Sequence, residues 1–280
     1  MSSQITTIGT LLSSTWEQYK ERAIPILAVV LISTAVIGGM VMIVTLCAVF
    51  GGVLLVHVEY TKTVTSILVA TVFVVFLIIT ILALWFQTAM LAIVIRKDLG
   101  IIEAFQTGWD YLRPMTWILT IFSGILLTGF VFGILPGVLC LVWFLFCFYI
   151  LIEEDRRGLD SLLASMEYVK GYWWNTFGKL FAIWFISMIV GIIPFIGTAL
   201  SILFYPFLML FVLNMYRDLK GIKGEAEITA GSGMKAFWWI VTWVGLILPM
   251  VALVGALLAL LYGDNSWLEL IQQTDYRVSI

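Results

Sequence analysis

Apolar residues run almost unbroken over Ala23–Val56, Val64–Ile95, Pro114–Ile152, Tyr172–Tyr216 and Ala236–Tyr262. A helix crosses the roughly 30 Å hydrocarbon core of a bilayer with about 20 residues, so each run is long enough to span a membrane. The third and fourth runs are too long for one helix and must fold back. In each a proline marks the expected turn: Gly133-Ile134-Leu135-Pro136-Gly137 and Gly191-Ile192-Ile193-Pro194-Phe195. Proline lacks a backbone donor and disfavours helix just before it. The expected fold is an all-α polytopic bundle of about six to seven spans. Either hairpin is alternatively re-entrant, and both versions return the chain to the same side of the membrane.

Composition supports this reading and narrows the function. With 62% of residues hydrophobic and 11% charged, a water-soluble fold would lack polar residues to cover its surface. The 280 residues make a single membrane domain, with no room for a separate extramembrane one. A net charge of −2, with no basic cluster longer than Arg96-Lys97 or Arg156-Arg157, argues against a nucleic-acid partner. Cys47, Cys140 and Cys147 lie in apolar runs and read as small buried hydrophobes, not as a disulfide or thiolate site. The polar first 22 residues contain no apolar signal core, so the first span is expected to target the chain.

Charge sets the expected orientation. On a seven-span reading, thirteen Lys and Arg share the amino-terminal side: Lys20, Arg22, Arg96, Lys97, Arg113, Arg156, Arg157, Lys170, Lys179, Arg217, Lys220, Lys223 and Lys235. Only Lys62 and Arg277 fall opposite. The positive-inside rule then places the amino terminus in the cytoplasm of a cell (inner) membrane, and the tail 263–280 outside.

Helical spacing of apolar residues marks three short segments before spans, at about 6–22, 100–113 and 158–171. Their opposite faces carry Glu17 and Lys20, Glu103 and Asp110, and Asp160 and Lys170. Each is read as an amphipathic helix lying in the interface, with an ordinary connector helix as the alternative. A shift of 58 residues superposes Gly100 on Gly158, Gly133 on Gly191, Ile134 on Ile192 and Pro136 on Pro194. The expected repeat units are about 100–152 and 158–216, in parallel orientation, followed by a last span at about 236–262.

The stretch Gly158–Phe177, GLDSLLASMEYVKGYWWNTF, resembles the membrane domain attached to some glycerophosphoryl diester phosphodiesterases and its stand-alone YciC-like relatives. The likeness includes Lys170, Gly171, Trp173, Trp174, Gly178, the turn at Pro194, Gly108-Trp109 and the turn at Pro136; the opening Ser14–Lys20, STWEQYK, also resembles that group. It covers about Leu99–Tyr216 and implies a multi-span helical domain linked in some members to head-group metabolism or membrane upkeep. The phosphodiesterase catalytic barrel has no counterpart here, so that activity is not implied.

Little in the sequence carries chemistry. His57, with Glu59, Tyr60 and Lys62, offers too few ligands for a zinc site. Glu153-Glu154-Asp155 is answered at once by Arg156-Arg157. No P-loop, nucleophile elbow, zinc-protease motif or dinucleotide fingerprint is present. The deep parts of the spans hold no ionisable residue, and Lys179, near a cytoplasmic end, is expected to snorkel. No catalytic residue, metal or cofactor is therefore expected. Gln87, Ser123, Thr128, Ser187, Thr198, Ser201 and Asn214 read as hydrogen bonds between helices, and Gly38, Gly39, Gly51, Gly52, Gly124, Gly129 and Gly133 as close helix contacts.

Tryptophans 109, 117, 173, 174, 238 and 239 cluster at cytoplasmic boundaries as an aromatic belt. Lys170, Trp173, Trp174 and Lys179, and likewise Trp109 and Arg113, are the expected contacts to an anionic lipid head group. The leading expectation is a non-enzymatic membrane protein acting on lipids or membrane homeostasis, with membrane lipids as partners. The alternatives are an assembly subunit of a larger membrane complex, contacting a membrane-protein partner or a second copy of itself, and an uncoupled carrier of an apolar or lipid-like solute.

Overall fold

The computed structural model describes residues 6–55, 62–191, 196–227 and 231–262. The outer loop expected around His57, Glu59 and Tyr60, the turn at Pro194 and the tail after Tyr262 lie outside those residues. Eleven helices follow one another among the described residues: α1 (Ile8–Glu21), α2 (Ala23–Leu55), α3 (Lys62–Ile95), α4 (Ile101–Asp110), α5 (Leu112–Val131), α6 (Ile134–Trp143), α7 (Cys147–Glu154), α8 (Leu159–Val169), α9 (Trp173–Gly191), α10 (Ile196–Lys223) and α11 (Ser232–Tyr262). Among the described residues six stretches are long and apolar enough to cross a membrane: Ala23–Leu46, Ala70–Ile95, Leu112–Val131, Ile134–Glu154, Leu200–Lys223 and Ser232–Ala256. The chain is an all-helical integral membrane protein. The 19-residue α9 packs on α10.

α2 and α3 have 33 and 34 residues, and at 1.5 Å per residue each extends about 50 Å, well beyond the hydrocarbon core. Their burial divides accordingly. On α3 every residue from Ala89 to Ile95 is buried, whereas Ala70–Ile81 is exposed or half-exposed although apolar. On α2, Ile26, Val29 and Val30 are buried, and Leu31, Ile32 and Val36 are exposed. One end of the bundle thus has a core like that of a soluble protein, and the rest presents apolar side chains suited to lipid.

A network of charges closes the packed end. Arg22 donates to the carbonyls of Ile93 (2.5 Å), Val94 (3.2 Å) and Arg96 (3.1 Å), and Arg217 donates to that of Ile95 (3.0 Å). Arg217 also pairs with Glu153 at 3.1 Å. Lys223 caps α8 through the carbonyls of Glu167 and Lys170, and Lys235 pairs with Asp160 at 2.7 Å. The start of α2, the ends of α3, α7 and α10, the start of α11 and all of α8 therefore share one face.

Within the spans, close helix contacts depend on missing side chains. A Cβ on Gly245 of α11 would lie 1.9 Å from the Gly124 carbonyl oxygen of α5, and beside it Thr128 donates to the Val241 carbonyl at 2.6 Å. A Cβ on Gly129 would lie 3.0 Å from the Gly137 Cα, so half of the Gly129/Gly133 step packs inside the chain. The other half makes a turn. Gly133 has φ 136, a conformation nearly closed to other residues, and starts α6. The turn thus sits at Phe132–Gly133, at the start of the expected Gly133–Gly137 segment, and Pro136 occupies the first turn of α6, where its missing N–H costs nothing. Gly38 and Gly39, expected at helix contacts, face open space.

The span Ile134–Glu154 is broken between α6 and α7, and α8 repairs it. Ser165 accepts from the Phe146 N–H (3.0 Å) and donates to the Trp143 carbonyl (2.8 Å), while Ser161 donates to the Cys147 carbonyl. Backbone groups released from a helix inside a membrane must find protein partners, and these serines, one helical turn apart, supply them. α8 is accordingly buried along most of its length, against the expectation of a helix lying in the interface; α1 and α4 do expose apolar residues, including Trp16 and Ile102. Tyr205 donates to Gln87 (2.7 Å) and Asn214 to Thr15 (2.9 Å), the expected bonds between helices, whereas Ser187 bonds its own helix at Ile183. Cys140 and Cys147 are free and buried.

Forcing a side chain into the α5–α11 contact tests this packing. Gly245→Leu is expected to destabilise the protein by about 1–3 kcal/mol or more, read as an earlier thermal-shift transition in detergent. Gly39→Ala, made in open space in the middle of α2, should not lower the transition.

Candidate lipid head-group site

Where the packed end gives way to lipid-facing helix, α4 lies against α3. Glu103 in its first turn accepts from the Gly100 N–H at 3.0 Å and fixes its start. A Cβ on Gly108 would lie 2.8 Å from the Ala89 nitrogen, so glycine lets α4 touch the α3 backbone. Trp85 of α3 donates to the Phe105 carbonyl at 2.9 Å, and its ring meets Trp109 edge-on at 5.7 Å. Trp109 is 60% exposed, so this pair stands as a ridge.

On one side of the ridge, α3, α4 and α5 enclose a groove of about 940 Å³. Its walls are Ile81, Leu84, Leu112, Thr116 and Thr120, with Trp109, Trp117, Arg113 and Arg157 among the remaining lining residues. Arg113 and Trp117, one turn apart on α5, share a helix face. No carboxylate pairs with Arg113 among the described residues. Among the described residues Arg157 pairs only with Asp155, at 3.2 Å and with both side chains exposed. Such a pair contributes little, so the guanidinium is available to another anion. The groove therefore offers two planar cations beside two indoles above an aliphatic wall. Guanidinium recognises phosphate through paired donors, and tryptophan favours the head-group level.

Of the expected contacts, the structure brings Trp109 together with Arg113, and Trp173 with Trp174, whose rings meet edge-on at 4.8 Å, but turns Lys179 away from both pairs. Trp173 stacks on Phe177 at 5.1 Å, Trp174 stands out 78% exposed, and Lys170 is exposed beside Glu167 at 3.5 Å. Lys179 does not snorkel towards them. It is only 4% exposed and turns inward to Asp218 of α10 at 3.4 Å, which also accepts from the Thr6 N–H and hydroxyl. An unpaired ammonium beside lipid costs more than one held by a carboxylate across a helix contact, and Asp218 was available for that. Arg157 and Trp117 were not assigned to the site from sequence. Trp117 had a local signal, its one-turn spacing from Arg113; Arg157, more than 40 residues away, had none.

The acidic cluster is more than locally neutralised. Arg157 answers Asp155 and Arg156 lies 2.8 Å from Glu154, but Glu154 also accepts from Tyr168 (2.7 Å), Tyr216 (2.5 Å) and Lys220 (2.9 Å). Tyr168 in turn accepts from the Ala226 N–H at 3.1 Å. Burial, with the bond to Glu154 second, pushes the Tyr168 hydroxyl up to about 12, which keeps it a donor at neutral pH. The cluster joins α7, α8 and α10 and is built for stability.

Scans of this chain against protein-family models, curated proteins and solved structures find no match.

Glu154→Ala would strand Lys220, Arg156 and the two tyrosine hydroxyls, and a loss of about 3–5 kcal/mol is expected in chemical denaturation from mild detergent. Glu154→Gln, which keeps an acceptor, should lose less, and Asp155→Asn, which removes the charge from an exposed pair and still tolerates the left-handed backbone there, about 1 kcal/mol or less.

Proposed function

We propose that this chain is a non-enzymatic integral membrane protein of a cell (inner) membrane that recognises anionic phospholipid and acts on membrane lipids or their homeostasis. The observation that carries the reading is Arg113, a guanidinium without a carboxylate partner among the described residues, in a groove walled by Trp109 and Trp117 and joined by Arg157. A phosphodiester head group complements that charge, and its acyl chain complements the aliphatic wall beneath. The likeness of Gly158–Phe177 to a membrane domain linked to head-group metabolism points the same way.

In this reading the packed, charge-closed end faces the cytoplasm. It gathers Arg22, Arg217, Lys223 and Lys235, and thirteen of the fifteen Lys and Arg fall on that side of a seven-span chain. The groove then opens to the inner leaflet. A short helix followed by two long apolar stretches, α4 before α5 and α6–α7 and α8 before α9 and α10, supports reading them as two copies of one unit. The first copy leaves its short helix partly exposed beside a groove, and the second buries α8.

Native mass spectrometry of the detergent-solubilised protein, titrated with phosphatidylglycerol and phosphatidylcholine, tests the reading. Phosphatidylglycerol is expected to bind more tightly, and Arg113→Ala to weaken it roughly tenfold, the scale of one lost hydrogen bond to a charged group. Arg157→Ala should act in the same direction. Equal affinity for the two lipids, or an unchanged preference in Arg113→Ala, would contradict the reading.

A further inference from the structure

A second groove lies across the Trp85–Trp109 ridge, about 680 Å³ between α2, α3 and α4. It is walled by Ile32, Val36, Phe86 and Phe105, with Gln106 and Asp110 as its polar residues, and Trp109 lines both grooves. Ile81 and Leu84 face the first groove and Leu82, Trp85 and Phe86 the second, so the two occupy adjacent faces of α3, about 120° apart by helical rotation. Each volume falls within the roughly 300–1,000 Å³ typical of ligand sites.

We infer that the ligand is a two-chain anionic phospholipid straddling this ridge, one acyl chain in each groove, with its phosphate on the Arg113 side. This rests on the head-group reading and adds the chain requirement. Charge sorts the orientation: Arg113 and Arg157 line only the first groove, and Asp110, which lines only the second, repels a phosphate there. The ridge is held by the Trp85 hydrogen bond to Phe105 and the edge-on ring contact, so it divides the two chains without having to form on binding. A one-chain lipid fills only one groove and leaves the other's apolar wall unsatisfied.

The experiment is native mass spectrometry of the full chain with diacyl phosphatidylglycerol, its monoacyl analogue and diacyl phosphatidylcholine. The wild type is expected to favour the diacyl over the monoacyl anionic lipid by about tenfold or more, and Val36→Trp, which fills the second groove, to bring that ratio towards one. Ile102→Trp, on an exposed α4 residue lining the same groove, gives the same readout without disturbing the core. Phe73→Trp, on the lipid-facing part of α3, should leave the ratio unchanged. A wild-type ratio near one, or a ratio that both groove-filling variants preserve, overturns the inference. If phosphatidylcholine binds as well as phosphatidylglycerol while both variants still weaken the two diacyl lipids, the head-group reading falls and the two-chain site stands.

Discussion

The end of α3 has to be closed, and much of the fold is arranged around closing it. The last turn of a helix presents carbonyl groups without intrahelical donors and the negative end of its dipole. Here Arg22 binds two of those carbonyls and that of Arg96 just past the helix, and Arg217 binds a third, so α2 and α10 are tied to the point where α3 stops. Arg217 passes the constraint on through Glu153 to α7, whose next residue, Glu154, gathers Tyr168, Tyr216 and Lys220. Two arginines thus turn a set of long apolar helices into a bundle with one defined packed end.

That end and the lipid-facing remainder obey different rules. Near the charges, α3 is buried on every side from Ala89 to Ile95, and association there draws on removal of apolar surface from water. Farther along, lipid removes that drive, and contacts depend on close approach at Gly124 and Gly245 and on donors such as Thr128. The same need for internal donors explains α8, whose serines mend the break between α6 and α7. The paired grooves lie at the border between the two zones, where α4 stops short of filling the space beside α3.

The spans, the shared charged side and two residues of the groove were legible because each is written in neighbouring residues: runs of apolar side chains, counts of Lys and Arg, and Trp109 four residues before Arg113. What remained hidden depends on partners far along the chain. Lys179 looks like a snorkelling lysine until Asp218, 39 residues later, is placed beside it. α4 and α8 share an amphipathic pattern, yet one is exposed and the other buried; the difference lies in Ser161 and Ser165, whose spacing on the apolar side of α8 was the available sign of burial. Arg157 reads as the counterion of Asp155, and only the approach of α3, α4 and α5 shows it lining the groove with Arg113.

On the proposed reading, water ends and lipid begins near the level of Trp85 on α3, where burial on every side gives way to exposed apolar residues. Spin labels placed singly along this helix, with collision rates to oxygen and to a water-soluble nickel chelate measured in bilayers, test it most directly. Labels at Phe73, Leu77 and Ile81 should meet oxygen and not the chelate, a label at Ile93 should be shielded from both, and one at Lys97 should meet the chelate. Chelate access at Phe73, Leu77 and Ile81, or free oxygen access at Ile93, would contradict the account.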